Sequence, residues 1–274
     1  LRHTCTVIGI DIEVVTNCKT LDRRLHHILV DSDENVPVSG TVAIEIQKRG
    51  GNYLVIEGGE AIISSSDAEW ITLYLHELIN FRVAWHLKEF IKIHAASGAF
   101  RGKRFLLVGD KGAGKTTLIT RLLFEGAAVY GDETVLLQEG DGMPFPRKFH
   151  LKEGTLPLLP QLAPIGDKLT SYPAYYGGRF FFFDPTDAGF AWQITKGKVD
   201  GLFYLEPAHG EQSEIQRCPD WLMVQKLFLQ SSDFAISPES QIGELCHLVD
   251  RSDNFIIHLG ELDSAVMLIK DVLA

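Results

Sequence analysis

Apolar residues recur along this chain at two spacings, and the change from one to the other divides it. From residue 1 to 66 the period is two. Ile8, Ile10, Ile12 and Val14 alternate with Gly9, Asp11 and Glu13, and Val42, Ile44 and Ile46 alternate with Ala43, Glu45 and Gln47. Such alternation marks half-buried strands. Arg49-Gly-Gly-Asn52 predicts a tight turn into a partner strand, Tyr53–Glu57. Nothing in this β-rich module has the spacing of a catalytic set. At Ser66 the period lengthens. Ser66-Asp-Ala-Glu69 reads as a capping box opening a helix to about Leu87, with Trp70, Tyr74, Leu78, Phe81 and Trp85 as its apolar stripe and His76, Glu77, Asn80 and Arg82 outside it. Residues 67–89 are therefore expected as a connecting helix between the N-terminal module and a domain spanning 90–274.

That domain alternates strands with helices. Phe90–Ala96 and Phe105–Val108 read as strands. Thr117–Glu125 reads as a helix with Leu118, Ile119, Leu122 and Leu123 on one face and Gly126 at its stop. Ala127–Leu137 is a strand interrupted at Gly131-Asp132-Glu133. From Asp141 to Gly178 six of the chain's eleven prolines interrupt any period, so this stretch is expected as functional loops. Strands at Arg179–Phe183, Gly201–Leu205 and Asn254–Leu259 and helices at Trp221–Leu229, Ser240–Val249 and from Leu262 complete an α/β pattern.

The chemistry gathers where strand meets helix. Gly109, Gly114, Lys115 and Thr116 satisfy G-x-x-x-x-G-K-S/T between an apolar strand and a helix, the setting a phosphate-binding loop requires. A polyphosphate needs converging N–H donors, and Gly112 and Gly114 clear side chains from their approach. The predicted nucleotide-binding set is Gly109, Asp110, Lys111, Gly112, Ala113, Gly114, Lys115, Thr116 and Thr117. Lys115 would meet the β- and γ-phosphates of ATP, and the Thr116 hydroxyl would meet Mg²⁺. Asp132 and Glu133 follow Lys115 by seventeen and eighteen residues, a gap holding one short helix, a turn and one strand. They are expected to return to the phosphate end. There an Mg²⁺-nucleotide site needs carboxylates, and transfer to a hydroxyl also needs a base. Arg147 and Lys148 in the basic stretch after them, and Arg179 at the base of the Tyr172–Arg179 loop, are candidate acceptor contacts; the same stretches read equally as solvated loops.

Composition narrows the partners. A net charge of −10 argues against a general binder of nucleic acid or anionic membrane, whose affinity comes from Lys and Arg. The N-terminal residues lack a signal-peptide pattern and no apolar run reaches a membrane span. The four cysteines are scattered, as expected of reduced thiols in the cytoplasm.

Three segments together, Ile93-His-Ala-Ala, Val108-Gly-Asp-Lys-Gly-Ala-Gly-Lys-Thr-Thr and Gly126-Ala-Ala-Val-Tyr-Gly-Asp-Glu-Thr-Val, resemble the core of bacterial HPr kinase/phosphorylase and its shorter kinase relatives, over about residues 91–137. The resemblance implies a P-loop kinase core with the phosphoenolpyruvate carboxykinase type of nucleotide fold. It places Asp132 as the base, Glu133 as a metal-side carboxylate beside Asp132 and Thr116, and His94 as the active-site histidine. The chain departs from the HPr kinases in Thr116-Thr117 and Glu133, and lacks their later glycine- and asparagine-rich signature. It stands closer to the shorter relatives, which include kinases that modify lasso-peptide precursors at a serine. The expected activity is ATP- and Mg²⁺-dependent phosphorylation of a serine on a peptide or small protein, with Asp132, His94 and Lys115 catalytic; a homo-oligomer is compatible with this. A small-molecule alcohol kinase and a nucleotide-dependent regulatory ATPase are the alternatives.

Overall fold

The computed structural model describes residues 1–31, 37–174, 177–192, 194–232 and 236–274. The chain is mixed α/β and divides into two compact units, one comprising 1–87, 146–148 and 167–183 and the other the remainder.

The first unit opens with β1 (Arg2–Val7), β2 (Ile10–Thr16), α1 (Lys19–Ile28), β3 (Gly40–Arg49), β4 (Asn52–Glu57) and β5 (Glu60–Ser65), paired in sequence order. The expected hairpin at Arg49–Asn52 is present. Only β2 and β3 are parallel. A parallel pair needs a crossover, and α1 supplies it, burying Leu21, Leu25 and Ile28 on one face. This helix was not expected. Nor does Ile8–Val14 form one strand, because the chain reverses at Ile8 (φ 49°) and Gly9 (φ 72°) between β1 and β2.

The helix α2 (Ala68–His86) follows. Its N-cap is Asp67, not Ser66: the Asp67 carboxylate accepts from the N–H groups of Glu69 (2.8 Å) and Trp70 (3.1 Å). A carboxylate there also meets the positive end of the helix dipole. The expected stripe is also corrected. Ile71, Leu75, Ile79 and Val83 are buried while Phe81 and Trp85 are about half exposed, at 51% and 50%. His76 is buried against the Phe182 ring, centroids 4.9 Å apart. Apolar residues encircle this helix, so periodicity alone could not choose the face.

In the second unit the elements continue as β6 (Ile91–Ile93), β7 (Ala95–Phe100), β8 (Lys103–Val108), α3 (Lys115–Phe124), β9 (Ala128–Gly131), β10 (Val135–Gln138), β11 (Asp141–Pro144) and β12 (Phe149–Lys152). The expected irregular stretch thus holds short strands, together with 3₁₀ turns at Glu153–Leu158 and Pro160–Lys168. The antiparallel hairpin of β13 (Thr170–Pro173) and β14 (Arg179–Phe183) belongs to the first unit. Of the loop within it, Tyr175 and Tyr176 lie outside the described residues. The second unit ends with β15 (Gly197–Lys198), β16 (Gly201–Pro207), β17 (Glu214–Arg217), α4 (Asp220–Leu229), β18 (Ser231–Ser232), α5 (Pro238–Asp250), β19 (Asp253–Leu259) and α6 (Leu262–Val272).

Two sheets organise this unit. One runs β17-β19-β16-β8-β7-β9, with β8, β16 and β19 parallel; the other runs β15-β11-β10-β6-β18. Their shared core includes Ile93, Leu106, Val135 and Leu202, with Met223 and Leu227 from α4 and Leu245 and Leu248 from α5. Phe90–Ala96, expected as one strand, is broken at His94. Strand β6 pairs with β10 in one sheet, and β7 pairs with β9 in the other. The two chain segments therefore pass between the sheets side by side, one crossing at His94 and the other at Asp132–Thr134.

Candidate active site

Strand β8 and its parallel neighbour β16 end beside the loop that leads into α3, the end of an α/β sheet where ligands gather. Gly112 (φ 92°) and Gly114 (φ 96°) occupy backbone conformations that side chains disfavour. A Cβ on Gly114 would come within 2.7 Å of Leu259 Cδ2, whereas one on Gly112 would stand in open space. Gly114 is also the N-cap of α3 and offers no side-chain cap. The helix's first N–H groups and its positive dipole end thus face the loop without a capping side chain, as an anion requires. Asp110 and Lys111 are exposed and Ala113 is buried.

Lys115 is buried, and its Nζ donates to the carbonyls of Gly109 (2.6 Å) and Asp110 (3.1 Å). Burial pushes its pKa down to about 8, against the opposing pull of Glu133, Asp110 and Asp132. The next residue, Thr116, donates its hydroxyl to Asp132 Oδ2 at 3.2 Å, and the His150 N–H donates to the same oxygen at 3.0 Å. Asp132 is 1% exposed, so its orientation is set by the loop helix on one side and β12 on the other. The hydroxyl of Thr117 lies 3.3 Å from that of Thr155.

Glu133 and His94 meet at the crossing between the sheets. His94 Nδ1 is 3.0 Å from the Glu133 carbonyl and 3.8 Å from its carboxylate. A carbonyl can only accept, so Nδ1 carries the hydrogen. The backbone fixes the same junction: Ala95 N–H donates to the Glu133 carbonyl (3.1 Å), and His94 N–H donates to the Gln230 carbonyl (2.8 Å). Sequence reasoning missed two residues here. Gln230 Nε2 (2.6 Å) and the Tyr204 hydroxyl (3.4 Å) both donate to the Asp110 carboxylate. They lie 120 and 94 residues from it, and no local pattern could have linked them.

The second unit thus brings together the glycine loop, Lys115, Thr116, Asp132, Glu133 and His94. Arg147, Lys148 and Arg179 belong to the first unit. Arg147 is buried 3.9 Å from Glu77, Lys148 is half-buried, and Arg179 donates to Ser171 Oγ (2.9 Å) and pairs with Glu69 (3.3 Å).

The donor set fits a magnesium nucleotide. Thr116, Asp132 and Glu133 offer only hard oxygen ligands, and the uncapped α3 terminus with Lys115 suits phosphate oxygens. No family model matches this chain, and no curated protein matches it either.

Proposed function

We propose that this chain is an ATP-dependent phosphotransferase with a P-loop kinase core of the HPr kinase type, acting on a hydroxyl, with a serine of a peptide or small protein as the acceptor. The reading is carried by one observation: the Thr116 hydroxyl of the glycine loop and the buried Asp132 carboxylate, reached from a neighbouring strand, are 3.2 Å apart. A loop that only bound phosphate would need the glycines and Lys115. A buried carboxylate on the loop threonine is what a magnesium-nucleotide site adds to it, and His94 beside the acidic pair favours transfer over binding alone. ATP would supply the phosphoryl group, and Mg²⁺ would neutralise its oxygens.

The chain's own residues would act mainly by position and charge. Lys115 would bind the β- and γ-phosphates and release the loop carbonyls it now caps. Thr116 and Glu133 would hold the metal side. Asp132, kept in one orientation by Thr116 and the His150 N–H, would accept the proton of the acceptor hydroxyl. His94, with its tautomer fixed by the Glu133 carbonyl, would place an imidazole nitrogen beside the same groups. The test is to incubate the protein with Mg-ATP and separate panels of serine-bearing peptides, HPr and small alcohols, reading phosphoryl mass gain. Gain on a peptide is expected. Gain on a small alcohol alone would replace the acceptor, and ATP hydrolysis without any acceptor would favour the regulatory ATPase.

A further inference from the structure

The first unit contains a cavity of about 570 Å³ whose wall is strongly cationic. Lys19, Arg23 and Arg24 reach it from α1 and Arg179 from β14, and Glu69 is the single carboxylate in the wall among the described residues. Four permanent cations against one anion is an unusual local balance in a chain of net charge −10.

Helix stability does not account for this cluster. Lys19 is the first residue of α1 and Arg23 lies one turn on. Cations at a helix N-terminus oppose its dipole, and like charges four residues apart repel. Nor does pairing account for it. Glu69 lies 3.5 Å from Arg24 and 3.3 Å from Arg179, and so is divided between those two. What the pairing does is fix the two guanidiniums. Arg179 is further tied to Ser171 through Nε to the hydroxyl (2.9 Å) and Nη2 to the carbonyl (3.1 Å). Arg24 lies over the Tyr172 ring, 5.7 Å from its centroid. Two forks are therefore held in place, and two exposed, movable cations, Lys19 and Arg23, flank them.

Tyr172 also lines the cavity and is fully buried. Burial raises the pKa of its hydroxyl, while the charge of the Arg24 guanidinium and a side-chain hydrogen bond to it pull the pKa back. The tyrosine therefore helps to hold Arg24 in place at the wall.

The chemistry of the wall selects the ligand. Among the described residues its wall holds no large apolar side chain apart from Tyr172, only the cations, Glu69, His27 and hydroxyls such as those of Thr20 and Ser171. A docking peptide or protein surface needs several aromatic or aliphatic anchors, and among the described residues this cavity offers only the buried Tyr172 ring. Forked guanidiniums suit the oxygens of a phosphate. We propose that this cavity binds a small phosphorylated molecule, with its phosphate dianion held by Arg24, Arg179, Lys19 and Arg23. Arg179 then serves this cavity rather than the acceptor.

The cavity is built from residues of the first unit and the glycine loop from residues of the second, so its binding can be tested in the absence of Mg-ATP. Calorimetry on the full chain would use inorganic phosphate, glycerol phosphate, a phosphoserine peptide and citrate as separate probes. Three proteins would be compared: the parent, Lys19→Ala/Arg23→Ala, whose exposed positions preserve folding, and Lys115→Ala, which removes the loop cation. Glycerol phosphate should bind the parent and the Lys115→Ala protein alike, and about tenfold or more weakly when Lys19 and Arg23 are lost. Its binding should also weaken with added salt. Equal affinity in the Lys19→Ala/Arg23→Ala protein, loss only in Lys115→Ala, or no binding at millimolar probe would each overturn the proposal. Citrate binding as tightly as glycerol phosphate would overturn the phosphate assignment, and the phosphoserine peptide binding tightest would overturn the small-molecule one.

Discussion

The buried ammonium of Lys115 should make folding stability and nucleotide binding respond to pH in opposite directions. In the unfolded chain this side chain titrates near 10.5, and in the folded protein burial brings it to about 8. That displacement corresponds to about 3 kcal/mol disfavouring the charged form in the fold. Below pH 8 both states hold the proton and the cost is constant. Between pH 8 and 10.5 the unfolded chain holds a proton that the folded protein has lost, so stability rises with pH, by at most about 1.4 kcal/mol per unit. Other lysines and tyrosines titrate in this range, so the quantity to measure is the difference between the parent and Lys115→Met, by urea denaturation from pH 7 to 10.5. That difference should grow in favour of the parent by about 3 kcal/mol. Nucleotide affinity, read with a fluorescent ATP analogue, should be flat below pH 8 and fall about tenfold per unit above it, because the phosphates need the protonated amine. Parallel stability curves for the two proteins would refute the burial argument. Affinity that held constant through pH 9.5 would remove Lys115 from the phosphate contacts.

Three further substitutions separate the roles around it. Asp132→Asn should keep nucleotide affinity within a few-fold by calorimetry while turnover falls by about 10²–10⁴, since an amide cannot take the proton; turnover close to the parent's would exclude Asp132 as base. Glu133→Gln should raise the Mg²⁺ concentration needed for half-maximal activity, and an unchanged magnesium curve would place Glu133 off the metal. Gly98→Ala bears on the scaffold. Its Cβ would approach the Ala128 carbonyl oxygen to 2.8 Å and the Phe105 and Ile119 side chains to 3.1 and 3.2 Å, so denaturation should show a loss of about 1–3 kcal/mol.

Much of this was legible in the sequence, because the informative residues were local. The glycine loop and the acidic pair are each contiguous, and the strand, helix and strand around them have clear periods. The strands and helices from Arg179 to the end of the chain also lie close to their expected places. What stayed hidden was hidden for identifiable reasons. A β-branched residue is the last one expected at positive φ, so Ile8 read as strand interior where the chain in fact turns. In α1 the apolar stripe Leu21, Leu25 and Ile28 is narrow and lies among charges, and it was overlooked. In α2 the opposite held, with too many apolar residues to single out a face. The break at His94 leaves no mark in hydrophobicity, because both β6 and β7 are buried; only their pairing with different sheets defines it.

The side-by-side passage of β6–β7 and β9–β10 between the sheets has a consequence for how this chain tolerates changes in length. On one side Ile93 faces Val135, and on the other Ser97 faces Gly131. The His94 and Asp132–Glu133 positions are thus pinned by ladders on both flanks. A single residue inserted at 95–97 or 132–134 must be taken up by slipping one ladder, which turns that strand's buried side chains outward, or by a bulge that re-aims the imidazole or the carboxylates. Residues added at the Arg101-Gly102 or Glu139-Gly140 turns, where the same segments reverse far from the junction, displace neither. Length variation should therefore collect at those turns, while the junction keeps an invariant count.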